Sequence, residues 1–387
     1  MFPIEKFRNI KTPFYYYNPA LLTETLDCIN REIASDDQVY HVHYAVKANS
    51  NPAILKMIAA AGLGADCVSG GEIQAALDAG FPSHKIVYAG VGKSDWEIEL
   101  GLNSDIACFN VESLPELHVI NQLASQMGCI ARVAFRINPN VDAHTHVNIT
   151  TGLAENKFGI AMEDMVTAIQ TANELPAIEY IGLHFHIGSQ ILDLACYQAL
   201  CDRINELQDK LDTLGIHTKS INVGGGLGID YQNPDKNPIP DFKTYFAIFR
   251  NGLKVRCGQQ VHFELGRSVV AQCGSLISKV LYVKQTQTKR FLILDAGFTD
   301  LIRPALYDAY HAIENLSANT APESCEVYDV VGPICESSDV FAKSVCLPVS
   351  KRGDLIALRS AGAYGEVMAS TYNCRSLPQA YIGDMEV

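Results

Sequence analysis

Residues 44–49 read YAVKAN and place a lysine directly after a short apolar run. The run Tyr40–Val46 is β-prone, and Asn51-Pro52 behind it is typical of a helix start. Lys47 is therefore expected at the carboxyl end of a strand, with its amine facing a pocket. A partly desolvated lysine amine has a lowered pKa and forms a Schiff base with an aldehyde. A solvated lysine after a strand is the alternative that this stretch alone leaves open.

Strand and helix patterns alternate along the chain from this lysine onward. Eight β-prone runs, separated by seven segments with helical spacing of apolar residues, predict an α/β fold with a (β/α)8 barrel of the TIM type. A helix over Ala20–Ile33 precedes the first strand, and the polar segment Asn138–Lys157 is a candidate lid on the carboxyl face. The predicted strands are Tyr40–Val46, Leu63–Val68, Lys85–Ala89, Ile106–Asn110, Ala131–Ile137, Glu179–His186, Ser220–Val223 and Val261–Glu264.

The pattern changes after about Ser268, where short β-prone runs separated by turn signals replace the alternation. They predict a second, mostly β C-terminal domain, joined by an N-terminal strand at Phe14–Tyr17. The predicted division is residues 20–267 for the barrel and residues 1–19 with 268–387 for the β-rich domain. The predicted β-prone runs are Ser275–Val283, Arg290–Leu294, Glu326–Val331 and Leu355–Leu358.

Composition narrows the class of protein and its partners. The chain has 387 residues, 48% of them hydrophobic and 19% charged, as expected for a soluble globular protein with more than one domain. A net charge of -13 argues against nucleic acid or an anionic membrane as partner. No leader-like or membrane-length apolar run occurs, so a cytoplasmic location is expected. The twelve cysteines form no Cys-x-x-Cys pair, so neither a metal site nor a disulfide framework is expected.

Chemically distinctive residues fall at the predicted carboxyl ends of the strands, where barrels form their active sites. Three glycines at 224–226 allow backbone N–H groups to approach a phosphate, and His186 offers a flat ring for stacking. With Lys47 and the carboxylate of Glu264, this set suggests pyridoxal phosphate, whose ring nitrogen the carboxylate would keep protonated. Taken singly, the features have other interpretations: a structural histidine, a tight turn, and an ion pair of Glu264 with Arg267.

Several motifs resemble the fold-type III, alanine-racemase-like PLP decarboxylases. They are YAVKAN (44–49), GGE (70–72), HFHIGSQ (184–190), VGGG (223–226) and ELGR (264–267). Leu265 stands where that family usually has proline. Further motifs are similar to the diaminopimelate decarboxylase family in particular: RPALY (303–307), GPICESSD (332–339), AGAYG (361–365) and the loop from Asn138 to Gly159.

The resemblance implies a role for each matching residue. Lys47 would bind the cofactor aldehyde, His186 would stack on the ring, and Glu264 would pair with the ring nitrogen. Cys335, supplied by a second subunit, would protonate the α-carbon, which implies a homodimer with shared sites in which the β-rich domain contributes at the interface. The other implied cofactor-binding residues are Asp66, Ser189, Gly224, Gly225, Gly226, Gly266, Arg267 and Tyr364. The implied substrate-binding residues are Arg267, Arg303, Tyr307, Glu336 and Tyr364.

The activity that the resemblance implies is decarboxylation of meso-2,6-diaminopimelate at its D centre, which yields L-lysine and CO2. Arg303 and Glu336 carry the right charges to receive the second amino-acid head of this substrate. One alternative is a related decarboxylase of ornithine, arginine or carboxynorspermidine. Another is a non-catalytic PLP-binding barrel, against which the roughly 120 residues after the eighth strand count. Alanine racemase shares both domains but is not expected to carry Cys335-Glu336 in this setting.

Overall fold

The computed structural model of the chain describes residues 2–34, 40–141, 157–318 and 325–383. The chain divides into two compact units. The barrel unit comprises Leu26–Gly228 and Asp241–Gly266, and the β-rich unit comprises Met1–Thr25, Ile229–Pro240 and Arg267–Val387. The sequence predicted a division into residues 20–267 and residues 1–19 with 268–387. The two divisions differ in where they place residues 20–25, 229–240 and 267, and the predicted one remains a prediction.

The N-terminal segment contains a short helix α1 (Ile4–Phe7), the strand β1 (Phe14–Tyr17) and the helix α2 (Pro19–Ile33). All four residues of β1 are buried. Helix α2 begins after Asn18, whose side-chain oxygen accepts hydrogen bonds from the Ala20 and Leu21 N–H groups at 3.1 and 3.3 Å. Such a side-chain cap satisfies N–H groups that have no partner inside the helix, and it explains why the helix starts here.

Eight parallel strands close into a barrel, so the predicted (β/α)8 architecture is confirmed. The first and last barrel strands pair in parallel, with Tyr40 opposite Val261, and this pairing closes the sheet. Each observed strand end lies within two residues of its sequence-predicted position. The barrel strands are β2 (Tyr40–Ala45), β3 (Gly64–Cys67), β4 (Ile86–Tyr88), β5 (Cys108–Val111), β6 (Ala131–Arg136), β7 (Ile178–His184), β8 (Ser220–Gly225) and β9 (Gln260–Leu265).

A helix follows each of the first seven barrel strands, as the alternation predicts. Polar caps start four of them: Asn51, Ser69, Ser113 and Asp241 each accept a backbone N–H of the first turn. The helices are α3 (Pro52–Ala60), α4 (Gly70–Asp78), α5 (Asp95–Asn103), α6 (Leu114–Met127), α7 (Met165–Glu174), α8 (Ala195–Thr213) and α9 (Phe242–Gly252).

The interior of the barrel is hollow toward the amino ends of its strands. Small and polar side chains, among them Cys108, Ala134 and His43, line a cavity of ≈ 850 Å³ there. Barrels of this type usually fill that space with layers of bulky branched residues. The cavity reaches inward to Asn110 and Asn222, which also belong to the candidate site described below.

The β-rich unit is built on an eight-stranded sheet in the order β12-β15-β10-β11-β13-β14, with β1 pairing β10 and β16. Strand β1 therefore joins this sheet, as predicted. The remaining elements are α10 (Arg267–Val270), β10 (Gly274–Gln285), β11 (Arg290–Leu294), α11 (Arg303–Tyr307), β12 (Ile313–Asn315), β13 (Cys325–Val331), β14 (Val340–Pro348), β15 (Leu355–Leu358) and β16 (Gln379–Ile382).

The expectation of β-prone runs alone after Ser268 is wrong in detail. Helices do not stop there, because α10 spans Ser268 and α11 follows it. The strands β12, β14 and β16 were not predicted from the sequence. Strand β14 is hard to recognise because its pairing with β13 contains register shifts and Ser344 has a positive φ of 56°, which interrupt the alternation of buried and exposed side chains.

Most of the candidate lid, Asn138–Lys157, falls outside the described residues, since residues 142–156 are not among them. Among the helices that are described, none combines the length and the apolar composition needed to cross a membrane.

Candidate active site

Lys47 lies in a short 3₁₀ turn directly after β2, and its amine faces a buried carboxylate. The Lys47 Nζ is 3.3 Å from Asp66 Oδ2; the lysine side chain is 39% exposed and that of Asp66 only 1%. Burial and the charge of Glu264 raise the pKa of Asp66 to about 7, although Lys47 opposes the rise. The other oxygen, Oδ1, is buried without a hydrogen-bond partner among the described residues. A buried oxygen left in this state beside a half-exposed amine fits a site that receives a polar ligand.

Glu264 ends β9 inside the barrel and is almost fully buried. Its Oε1 accepts hydrogen bonds from the side-chain amides of Asn110 and Asn222, at 3.2 and 2.7 Å. Its Oε2 lies 3.0 Å from Nε2 of His184. Burial alone raises the pKa of this carboxyl, but the interaction with His184 and the charge of Lys47 outweigh it and hold the pKa below its usual value. Glu264 is therefore an anion in a buried place.

His184 is the last residue of β7 and His186 lies two residues further along the chain, but the two rings have different surroundings. His184 is buried against Glu264, whereas His186 is half-buried and its Nδ1 accepts the Gly225 N–H at 3.3 Å. Burial lowers the pKa of His186 well below its usual value, and the charges of Arg136 and Lys47 lower it further. A neutral, partly accessible ring at this position is suited to stacking on a flat ligand.

The three glycines at 224–226 leave no room for a side chain. A Cβ on Gly225 would lie 1.7 Å from the Glu264 carbonyl oxygen, and one on Gly224 would lie 2.2 Å from that of Phe185. Gly224 and Gly226 also have positive φ values of 73° and 100°, which side chains disfavour. The turn is thus a bare backbone surface, as a phosphate-binding loop requires.

Two further predicted cofactor residues lie on the same face of the barrel unit. Ser189 follows His186 by three residues and is half-buried, and Gly266 directly follows β9 and is buried. The structure thus brings seven of the sequence-predicted positions together at the carboxyl ends of the barrel strands, with Ser189 and Gly266 in the adjoining loops. The seven are Lys47, Asp66, His186, Gly224, Gly225, Gly226 and Glu264.

Within the β-rich unit, two predicted arginines converge on one tyrosine. Arg267 donates a hydrogen bond to the Tyr231 hydroxyl at 2.7 Å, and the guanidinium of Arg303 lies 4.7 Å from the centre of the Tyr231 ring. The Arg267 guanidinium also lies 4.8 Å from the ring of Tyr364, which is half-buried, as is Tyr307. Both arginines are buried. Cation–π contacts stabilise guanidinium groups without cancelling their charge.

His311 is the hydrogen-bond acceptor of Arg303 and its ring also lies 5.2 Å from that of Tyr231, edge-on. The His311 and Arg303 side chains meet at 2.8 Å, and the second ring nitrogen of His311 lies 2.8 Å from the Arg359 carbonyl oxygen. Nδ1 must therefore donate to the carbonyl, and Nε2 accepts from the arginine. Burial and the charge of Arg303 lower the pKa of His311 to about 3, so the ring is neutral. Within the described part of the chain, Arg303 forms no ion pair with a carboxylate.

Cys335 and Glu336 lie in the loop that joins β13 to β14, and both are exposed. The Cys335 N–H donates to the side-chain oxygen of Asn373 at 3.3 Å, and Glu336 accepts a hydrogen bond from the Ser338 hydroxyl at 3.2 Å. Exposure removes the alternative that Cys335 is a core residue. Its chemical role stays a prediction.

Sequence reasoning assigned no role to four residues that contact the predicted ones: Asn110, Asn222, Tyr231 and His311. Asn222 precedes Gly224 by two residues, so alternation along β8 places both on the same face of the strand. That signal was available in the sequence. No sequence pattern indicated Tyr231, because its partners come from segments far away along the chain.

Comparison with known proteins places this arrangement in a family. Residues 26–271 match the family model described as the pyridoxal binding domain of pyridoxal-dependent decarboxylases. A diaminopimelate decarboxylase from Bacteroides thetaiotaomicron is 65% identical over 384 residues, which cover 99% of this chain and 98% of the relative. The chain belongs to the diaminopimelate decarboxylase family.

Solved structures of diaminopimelate decarboxylases have the same fold. The Helicobacter pylori protein complexed with L-lysine superposes with a TM-score of 0.91 at 41% identity and covers 98% of this chain and 94% of that one. The M. jannaschii protein in complex with L-lysine gives a TM-score of 0.90 at 37% identity, covering 98% and 89%. A lysine/ornithine decarboxylase from Vibrio vulnificus, at 20% identity and a TM-score of 0.84, shares the fold.

The residues of the barrel unit fit pyridoxal phosphate, the cofactor of this decarboxylase family. The glycine turn presents bare backbone, because a Cβ on any of its residues would collide with neighbouring backbone atoms, and Asp66 has a buried oxygen without a hydrogen-bond partner among the described residues. An amine, a neutral imidazole and a buried carboxylate complete the donor set in Lys47, His186 and Glu264. The amine suits the aldehyde of the cofactor, the imidazole suits its aromatic ring, and the carboxylate suits its protonated ring nitrogen.

Proposed function

We propose that this chain decarboxylates meso-2,6-diaminopimelate to L-lysine and CO2 with pyridoxal phosphate as cofactor. The observation that carries the proposal is the placement of the Lys47 amine and the Glu264 carboxylate at strand ends of one barrel, in a chain 65% identical to a diaminopimelate decarboxylase. When bound, the cofactor supplies an electron sink for the pair of electrons left behind as CO2 departs.

Each residue of the barrel unit has a defined task in this reaction. Lys47 would hold the cofactor aldehyde and give it up to the substrate amine, and Glu264 would keep the ring nitrogen protonated. His186, whose pKa is lowered by burial, would stack on the ring without adding charge to it. The glycine turn and Ser189 would hold the phosphate through backbone and hydroxyl hydrogen bonds.

Buried arginines are suited to the carboxylates of a substrate with two amino-acid heads. Arg303 is 4% exposed, its acceptor His311 is neutral and the other nearby charge is that of Arg267, so the positive charge is available to an incoming anion. Arg267, Tyr307 and Tyr364 form the rest of the proposed carboxylate-binding and phosphate-binding surface of this unit. Ornithine and arginine lack a distal carboxylate, so they would leave Arg303 without a counter-charge.

The test is a lysine-release assay with purified protein, added pyridoxal phosphate and meso-diaminopimelate. We expect L-lysine and CO2 in equal amounts. Ornithine, arginine and carboxynorspermidine are the comparison substrates. Turnover of one of these without turnover of diaminopimelate would place the chain with the related decarboxylases. Cofactor binding without turnover of any of the four would support a non-catalytic role.

We further propose that two chains form a cytoplasmic homodimer in which the Cys335–Glu336 loop of each chain serves the barrel of the other. An isologous contact of this kind makes two equivalent sites. Mixing inactive Lys47→Ala chains with inactive Cys335→Ala chains, under conditions that allow exchange, should restore up to roughly a quarter of wild-type activity. A mixture that stays inactive after exchange has been demonstrated would show that each chain builds its own site.

A further inference from the structure

Glu264 is a buried anion that is held by hydrogen-bond donors and not by a direct ion pair with a lysine or arginine. Three hydrogen bonds reach its two oxygens: two from the amides of Asn110 and Asn222 and one from His184. Within the described residues, no lysine or arginine forms an ion pair with it. A buried structural carboxylate is normally paired with a cation, because removing the charge from water is costly.

The orientation of the Asn222 amide is fixed independently of Glu264. Its side-chain oxygen accepts the Gly224 N–H at 2.9 Å, so its NH2 group must point to Glu264. The Asn110 side-chain oxygen accepts a weak hydrogen bond from the Cys108 thiol at 3.8 Å, so the NH2 group of Asn110 also points to Glu264. Both residues are almost fully buried. The pair of amides therefore presents donors, not acceptors, to the carboxylate.

His184 is the third hydrogen-bond donor to Glu264. Its Nε2 donates to Oε2 at 3.0 Å, because an ionised carboxylate can only accept. Its Nδ1 is buried and has no hydrogen-bond partner among the described residues, so the bond to Glu264 is the one that orients the ring.

The amides also separate Glu264 from the open cavity below. Asn110 and Asn222 line the cavity of ≈ 850 Å³ at the amino-terminal side of the barrel, together with His43 and His262. Water in that cavity would otherwise solvate the carboxylate and leave its position undefined. Fixed amide donors replace that solvation and need no reorganisation.

We propose that Asn110, Asn222 and His184 are positioning residues that keep Glu264 ionised and fixed for the ring nitrogen of the cofactor. The proposal rests on the proposed function, because that ring nitrogen belongs to the cofactor of the proposed reaction. The two amides stabilise one oxygen of the anion without adding charge, and His184 donates to the other oxygen. A lysine or arginine bound directly to Glu264 would stabilise the anion but would compete with the ring nitrogen for it.

The main test replaces one donor by an acceptor of the same size, in Asn222→Asp. The holoenzyme is reconstituted with pyridoxal phosphate labelled with ¹⁵N in the ring, and the resonance of the ring nitrogen is recorded. We expect a shift from the protonated toward the unprotonated range, with kcat about 10- to 100-fold lower and KM little changed, since a hydrogen bond to a charged group is lost.

Asn205→Asp is the matched control. Asn205 is a buried asparagine of α8 in the same unit, and its amide donates to the Gly252 carbonyl at 2.8 Å, away from Glu264. We expect this variant to lose thermal stability while its ring-nitrogen resonance stays at the wild-type position. The control separates a general cost of burying a new carboxylate from a specific effect on Glu264.

A second pair of variants covers the case in which Asn222→Asp does not fold. His184→Gln keeps an N–H donor near Glu264, whereas His184→Phe removes it. The glutamine variant should retain the wild-type resonance and most of kcat, and the phenylalanine variant should lose both. An unchanged resonance in His184→Phe would overturn the proposal, whether or not kcat falls. Failure of the wild type to decarboxylate diaminopimelate would instead refute the proposed function.

Discussion

In the barrel unit a buried carboxylate, Glu264, is held by two amides and a histidine, whereas in the β-rich unit a buried guanidinium, Arg303, is held by a neutral acceptor and an aromatic face. The two charges have opposite sign but a similar kind of surroundings. Each is stabilised by hydrogen bonds or by a ring quadrupole. Within the residues that the structure describes, Glu264 has no ion pair with a lysine or arginine and Arg303 has none with a carboxylate.

Other charged residues of the same units are paired in the ordinary way. Arg136 binds Glu112 at 2.9 Å and Lys93 binds Glu116 at 2.6 Å in the barrel unit. Arg359 contacts two carboxylates, those of Asp235 and Glu314, in the β-rich unit. The contrast suggests that Glu264 and Arg303 each keep their charge for a ligand, since a buried charge without a direct ion pair is costly.

The largest effect is expected for the amine on the barrel side of this comparison. Lys47→Ala should lower kcat by about 10³-fold or more, because the cofactor loses its attachment point and the product its release step. Borohydride should no longer fix the cofactor to the protein, as peptide mapping would show. Lys56→Ala, at an exposed lysine of α3, is the control and should behave as wild type. Cofactor fixed to another lysine in the Lys47 variant would show that the assignment is wrong.

The next prediction contrasts two arginines of the β-rich unit. Arg303→Ala should reduce kcat/KM for diaminopimelate about 10- to 150-fold with the cofactor still bound, since a charge-assisted hydrogen bond worth about 1.5–3 kcal/mol is lost. Arg359→Ala removes a guanidinium that is already paired with carboxylates, and it should leave kcat/KM within about twofold. Equal losses in both variants would mean that the absence of a carboxylate partner does not distinguish a substrate-binding arginine.

A smaller effect concerns the neutral acceptor of Arg303. The pKa of His311 is lowered to about 3 in the folded protein, whereas an unfolded histidine titrates near ~6.5. The unfolded chain therefore binds the extra proton first, and stability from this group is lost as pH falls from about 6.5 to about 3. His311→Gln keeps a neutral acceptor and does not titrate.

Between pH 6.5 and 5 the wild type should lose about 1.6 kcal/mol more unfolding free energy than His311→Gln, because the unfolded histidine goes from half to almost fully protonated over this range while the folded one stays neutral. Thermal or urea unfolding of both proteins at the two pH values measures the difference. Parallel pH profiles would show that His311 carries a proton in the folded state, and Arg303 would then lack its neutral acceptor.

The smallest effect is expected for an exposed ion pair. Lys219 binds Glu179 at 2.7 Å on the barrel unit, with side chains 69% and 42% exposed. Lys219→Ala should change the free energy of unfolding by no more than about 1 kcal/mol and leave kcat/KM unchanged, because solvent and salt screen such pairs. Unfolding curves at low and high salt provide the check. A loss of several kcal/mol would show that exposed pairs matter here as much as buried charges.

The sequence alone was sufficient for the features that repeat locally. β-prone runs and the helical spacing of apolar residues, together with the helix start at Asn51-Pro52, predicted the barrel and its strand ends. Lys47, Gly224–Gly226 and Glu264 are at the carboxyl ends of their strands. Once the strands are placed, these residues must lie on one face, because parallel strands of a barrel point the same way.

The tertiary structure alone decided which side chains surround the charges. Asn110 reaches Glu264 across 154 residues of sequence and His184 across 80, from strands that only barrel closure brings together. Arg267 meets Tyr231 across 36 residues, from a segment with no periodic signal. Local patterns report the period of an element and its buried face, but a hydrogen bond between distant strands depends on register and closure. The hydrogen-bonded surroundings of Glu264 and Arg303 are therefore a property of the fold, not of any stretch of sequence.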